Sequence, residues 1–363
     1  TSSNVVIDLK GKNIVIESVS GSDSTIIDGQ GDYPALGLDA ESNSYSGYSN
    51  DARFIGFTFK DGPNNEPLIH IAGPGISSAL SWAPLFQDCR FINSSITDLG
   101  SENHGVIDIE AAEPVFNNCE FRNLSIDPNT SNTGTIKGPI RLAGSQVSAS
   151  GGYDSTAFRP QFNNCTIVGN YTHFSSQYNS ENTFKGGAVY IGWGALPTFK
   201  NCRIDSNEID TEGGGDNHAW HASGGAVYID NFLSYSSSPV RFINTTFKGN
   251  KIFGESVYGG AISSSHPQVR LVNCVVINNK ISSGYTNNNN DQDVIAYGGG
   301  VSFAPDSYSQ SGQDDAKLVI INSTIADNEM VPYIFSNDQS WRQGGYGGAG
   351  IYRESTDNHV LMF

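Results

Sequence analysis

The chain has 363 residues, of which 37 are acidic and 20 basic, giving a formal net charge of −17. That imbalance repels phosphate backbones and anionic lipid headgroups, so nucleic acid is excluded as a partner. No run of apolar residues is long enough to span a bilayer, so no direct membrane insertion by this segment is expected.

In chain order, Asn4 to Ser18 already reads as strand. The far end, His359-Val-Leu-Met-Phe363, stops on another strand-like run. Both ends are therefore expected to be cuts in a longer protein. Residues 1–80 hold initial coils marked by Gly11-Lys-Asn-Ile-Val-Ile-Glu-Ser18, Thr25-Ile-Ile-Asp-Gly29 and Phe54-Ile-Gly-Phe-Thr-Phe59.

From 81 to 363 a two-part repeat takes over. Its first part is Pro84-Leu-Phe-Gln-Asp-Cys-Arg-Phe91, Pro114-Val-Phe-Asn-Asn-Cys-Glu-Phe121, Pro160-Gln-Phe-Asn-Asn-Cys-Thr-Ile167 and Pro197-Thr-Phe-Lys-Asn-Cys-Arg-Ile204. It drifts to Phe242-Ile-Asn-Thr-Thr-Phe247, Leu271-Val-Asn-Cys-Val-Val276 and Ile320-Ile-Asn-Ser-Thr-Ile325. The second part is a glycine pair entering a strand, at Gly186, Gly224, Gly259, Gly298 and Gly347. Leu68-Ile-His-Ile71, Val106-Ile-Asp-Ile109 and Ile140-Arg-Leu142 hold its place in earlier copies.

Short β-branched or aromatic segments bounded by Gly, Asn and Pro at irregular spacing predict stacked strands joined by elastic loops. The expected fold is all-β: a right-handed parallel β-helix of about nine coils, about three short strands per coil, forming a single domain over residues 1–363. Phe86 and Cys89 would face opposite ways in an unbroken strand, so a corner must lie between them. The residues at that corner, Asn118, Asn164, Asn201, Asn244, Asn273 and Asn322, are expected to form an inward ladder of amides.

All five cysteines, Cys89, Cys119, Cys165, Cys202 and Cys274, occupy one repeat position, where Thr245 and Ser323 stand in the remaining copies. Exchange with Ser and Thr marks a file of buried thiols rather than disulfides, zinc ligands or nucleophiles. The triplets Asn93-Ser-Ser95 and Asn164-Cys-Thr166 arise from the repeat, and their asparagines are expected inside the ladder.

Phe247-Lys-Gly-Asn250 followed by Gly259-Gly-Ala-Ile262 resembles the paired FxxN and GGAI repeats of polymorphic outer-membrane proteins, bacterial surface adhesins. The pairing continues through Ile167-Val-Gly-Asn170, Ile204-Asp-Ser-Asn207, Val276-Ile-Asn-Asn279 and Ile325-Ala-Asp-Asn328. The opening segments are similar to the first coils of secreted bacterial β-helix proteins, a group that includes polysaccharide lyases. The resemblance implies a secreted, extracellular or outer cell-surface location, with adhesion as the role.

Cleavage of acidic polysaccharides requires convergent basic residues, whereas Arg141, Lys185, Arg241 and Lys248 read as singly scattered. The candidate binding residues are Asp216, His218, Trp220 and His221 in one glycine-rich loop, together with Tyr285, Tyr333 and Trp341 among the loop aromatics. Asp291, Asp293, Asp314 and Asp315 supply hard oxygen ligands for calcium in polar loops. Loops are expected to leave at one corner, between each FxxN and the next glycine pair, and to stack into one face.

The expected function is a non-enzymatic module for adhesion, ligand binding or scaffolding. Its expected partner is a surface glycan, a protein or other components of an extracellular assembly. The alternative is a carbohydrate-active enzyme of polysaccharide lyase or hydrolase type, or a sugar-binding accessory domain.

Overall fold

The structure is a computed structural model and describes residues 5–39, 49, 51–73, 82–99, 104–128, 134–144, 157–173, 182–211, 221–230, 238–284, 295–305, 316–333, 346–354 and 359–363. These form an all-β fold of long parallel sheets, without helix. Sheet A has ten strands in chain order, from Ile7–Asp8 and Leu36–Asp39 to Val301–Phe303 and Ile351–Arg353. Sheet B has ten, from Val15–Glu17 to His359–Met362. Sheet C has fourteen and sheet D six, from Gly134–Lys137 to Tyr346–Gly347. The chain visits A, B and C and returns to A beside its previous strand, an order consistent with a parallel β-helix.

The first pass has the expected three strands, Ile7–Asp8, Val15–Glu17 and Ile26–Asp28, before the return to A at Leu36–Asp39. Later passes have more. After Val189–Ile191 come Thr198–Lys200, Arg203–Asp205, Glu208–Asp210 and His221–Ser223 before Val227–Ile229. Part of what the sequence suggests as loop between FxxN and the glycine pair therefore pairs as strand. Tyr171–His173 bonds to Glu208–Asp210, and Asn182–Lys185 to His221–Ser223. Nor do the connections all leave at one corner: described strands flank gaps in chain order between C and D and also between A and B, as at 145–156 and 231–237.

Inside, like residues stack on like. Phe54, Phe86, Phe116, Phe162, Phe199 and Phe242 form a continuous column with centroids 4.7–5.2 Å apart, all fully buried. Each stacked pair contributes about 0.5–1.5 kcal/mol beyond its area burial, so register is strongly fixed along the column. The five cysteines are free and buried, as their repeat position requires. Each thiol faces two carbonyls: Cys202 Sγ lies 3.2 Å from the Phe162 oxygen and 3.4 Å from that of Lys200. Thr245 Oγ1 makes the equivalent bonds at 3.2 and 3.1 Å, which explains the exchange of Cys for Thr.

The corner between Phe86 and Cys89 exists, but its ladder faces outward. Asp88, Asn118, Asn164, Asn201, Asn244, Asn273 and Asn322 all have φ between 45° and 56°. That left-handed conformation, which Asn and Asp tolerate best, restores inward parity for Cys89 and turns the corner side chain to solvent. The exposed amides still bond in file: Asn201 to Asn164, Asn244 to Asn201, Asn273 to Asn244 and Asn322 to Asn273, at 2.8–3.0 Å. Asn93 and Asn164, the sequon asparagines expected inside, are accordingly exposed.

The inward ladder is built by the Asn of FxxN. Asn170, Asn207, Asn250 and Asn279 are at most 1% exposed. Each Nδ2 donates to the next Oδ1, ending on Asn328, at 2.8–3.0 Å. Each also donates to a backbone carbonyl one pass back, and each Oδ1 accepts a backbone N–H, so every amide is satisfied.

Candidate functional site

In sheet A the aliphatic residues on either side of each central position face inward, so the middle residue must face out. Register stacks these middle residues into one outer file: His70, Asp108, Arg141, Tyr190, Tyr228, Ser263, Ser302 and Tyr352. A surface file should be exposed, yet Asp108 is fully buried and Arg141, Tyr190 and Tyr228 are 6–7% exposed. The cause is the neighbouring sheet D.

The glycine pairs join D to A. Gly224 has φ +73°, and a Cβ there would lie 2.2 Å from the Val227 oxygen; at Gly225 a Cβ would lie 2.2 Å from the Gly260 oxygen one pass on. The first glycine permits a reversal that L-residues resist, and the second lets successive passes stack. The outer residues of D, including Lys137, Lys185, Tyr258 and Tyr297, thereby converge on the outer file of A. Lys137 Nζ sits 5.6 Å from the Tyr190 ring centroid, Lys185 Nζ 4.6 Å from that of Tyr228, and Tyr297 stacks on Tyr352 at 4.0 Å. The result is a seam of closely packed polar and aromatic side chains running along the stack of passes.

One end of the seam is ionic. Arg141 Nη1 donates to Asp108 Oδ1 at 2.6 Å, and both terminal nitrogens lie 3.4 Å from Glu110 Oε2. His104 Nδ1 bonds to Asp108 Oδ2 at 2.6 Å, with His70 Nε2 3.8 Å from the same oxygen. Burial alone would raise the Asp108 pKa, but Arg141, His104 and His70 outweigh it and hold the carboxyl well below the usual range. The bond to Asp108 raises His104 against the pull of burial. Lys137 is lowered, by burial and then by the Arg141 charge.

The other end is phenolic. Tyr190 Oη bonds to Asp230 Oδ2 at 2.5 Å, and Lys185 Nζ lies 3.5 Å from Asp230 Oδ1. Tyr228 Oη meets Ser265 Oγ at 3.0 Å, and the Tyr190 and Tyr228 rings run parallel at 6.1 Å. Gly192 makes room for this arrangement, since a Cβ there would meet the Tyr190 ring at 2.7 Å. Burial, then Asp230, raises both phenols, so they act as neutral donors and ring surfaces.

Of the predicted binding residues, His221 is exposed in sheet D, at the register of Thr183 and Ser256. Tyr333 ends the strand Glu329–Tyr333 in sheet C. Asp216, His218, Trp220, Tyr285 and Trp341, and the calcium candidates Asp291, Asp293, Asp314 and Asp315, lie outside the described residues. Among the described residues no cluster of three or more His, Cys, Asp or Glu is placed to hold a metal.

Arg141 and Lys185, which read as scattered in the sequence, are brought with Lys137 to one face. Reading each copy along the chain does not reveal this convergence. Reading the middle residue of the glycine-pair strand down successive copies lists His70, Asp108, Arg141, Tyr190 and Tyr228 in order.

No family model, curated protein or solved structure matches the chain. The likeness to outer-membrane adhesin repeats rests on the FxxN and GGAI residues alone.

Proposed function

We propose that the chain is a right-handed parallel β-helix exported to the cell surface or the extracellular space, where the seam between sheets A and D binds a glycan. Ten strands in sheet A enclose nine intervals, which fits about nine coils. The observation that carries the proposal is the convergence of Tyr190, Tyr228, Lys185 and Asp230: two ring faces with fixed donors and acceptors beside them. Sugars are held in this way, with apolar faces on aromatic rings and hydroxyls on a few oriented polar groups. A linear ligand suits the site because the file of outer residues runs along the stack of passes.

A second reading, a polysaccharide lyase or hydrolase, is favoured by the proximity of a carboxylate, imidazoles and two cations at Asp108, His104, Lys137 and Arg141. A glycan-array screen with and without calcium, paired with a turnover assay on acidic polysaccharides, separates the two. Saturable binding without turnover that Tyr190→Ala and Tyr228→Ala weaken supports the binding module. Release of unsaturated or reducing sugars selects the enzyme, and silence in both assays refutes a glycan role for the seam.

A further inference from the structure

We propose that Lys137 and Arg141 form an anion subsite at one end of the seam, which takes the carboxylate of an acidic sugar residue with its ring against the edge of Tyr190. This rests on the glycan reading of the seam. In a chain with nearly twice as many acids as bases, cations on one face stand out, and most here are already matched. Arg141 is bonded to Asp108 and Glu110, and Lys185 lies beside Asp230.

Lys137 is not matched. Among the described residues no carboxylate lies within ion-pair distance of its ammonium, which is half-buried over Tyr190. Burial and then the neighbouring Arg141 charge disfavour its protonated form and outweigh the more distant pull of Asp108, Asp230 and Glu110. A half-buried ammonium without a counter-ion is costly, and an anion delivered by a ligand would remove that cost.

The second observation is independent. Arg141 is 7% exposed, and its Nε, unlike its terminal nitrogens, is a buried donor with no hydrogen-bond partner. Orphaned donors on a buried cation are rare in folded proteins and call for an acceptor. Both unmet demands are for an oxyanion. Tyr190, 6% exposed, stands at the register of Arg141 one pass on, so the edge of its ring borders the place where that oxyanion would sit. Asp230, bonded to the Tyr190 hydroxyl, then offers acceptor capacity for sugar hydroxyls.

The test is calorimetric titration of the whole chain with oligogalacturonate and with its methyl ester, in which only the carboxylate charge differs. The ester should bind roughly tenfold or more weakly than the acid. Lys137→Met, which breaks no ion pair and should not lower the melting temperature, should weaken the acid by a similar factor and leave the ester alone. Equal binding of acid and ester, or an unaffected Lys137→Met, overturns the proposal. Should neither polymer bind, the Lys137 ammonium resonance is followed with glucuronate and with glucose. A saturable response to glucuronate alone keeps the subsite while rejecting the polymer site, and no response rejects the subsite as well.

Discussion

Replacing Asn250 with Ala tests whether the inward amide ladder holds successive passes together. Asn250 is fully buried, donates to Asn279 Oδ1 at 2.8 Å and to the Ile204 oxygen at 2.9 Å, and accepts from the Asn207 backbone N–H and Nδ2 at 3.0 Å each. Truncation orphans the Asn207 N–H and one Asn207 amide hydrogen, and removes a side-chain donor from the Ile204 oxygen, which lies in the paired strand Arg203–Asp205. Asn279 Oδ1 keeps its bond from the Asn250 backbone N–H. At about 1–3 kcal/mol for each of these two buried unsatisfied groups, the loss is roughly 2–6 kcal/mol. The control is Asn244→Gly on the outward ladder, where water replaces the lost bonds and glycine accepts φ +51°; about 1 kcal/mol or less is expected. A stacked array need not unfold in one step, so a single midpoint is insufficient. Hydrogen exchange over residues 203–210 and 246–253 reads the local loss directly, and 3 kcal/mol corresponds to exchange faster by about a hundredfold. Exchange in Asn250→Ala no faster than in Asn244→Gly would refute the reasoning.

Arg141→Met leaves Asp108 buried without its strongest partner, and denaturant unfolding should show a loss of about 3–5 kcal/mol, most of it recovered in the double variant with Asp108→Asn. His266 is fully buried, and burial lowers its pKa to about 4, with the Gln268 backbone bond opposing. Its folded value lies below the unfolded 6.5, so its contribution is present above pH 6.5 and fades as pH falls toward 4, a loss of about 3 kcal/mol. Thermal melts across that window should show the decline, and His266→Gln should flatten it. Thr245→Cys extends the thiol file with both carbonyl contacts kept, so stability should change by less than about 1 kcal/mol. All six thiols of that variant should stay unreactive to a thiol reagent until the chain is denatured.

The fold was legible because its inner face is repetitive. Phenylalanine, cysteine and the glycine pair recur at positions where only inward parity or positive φ admits them. The ladder's direction was not legible, because Asn118 and Asn170 are both corner asparagines and composition does not distinguish them. Their neighbours do. A corner residue in the left-handed region sends its own side chain out, whereas Asn170 follows Gly169, whose φ of +63° makes the turn and leaves Asn170 to point in. Sheet D is hard to read from sequence because its strands are short and mixed in character: His221-Ala-Ser223 carries little β-propensity, and Ser256-Val-Tyr258 has a single inward aliphatic.

The candidate site follows from the same division of labour. Inward positions are constrained by stacking on both sides, so they repeat; outward positions of sheet A are released from that constraint and vary from His to Asp to Arg to Tyr. Most of these varied groups find a partner on the neighbouring pass or on sheet D. Asp108 finds Arg141, Tyr190 finds Asp230 and Lys185 finds the Tyr228 ring. Lys137 and the Arg141 Nε break that pattern within one pass. Ser302 Oγ, farther along the file, is also buried without a partner, but it is neutral; two cationic donors unmet within one pass are arranged to receive an anion at that place.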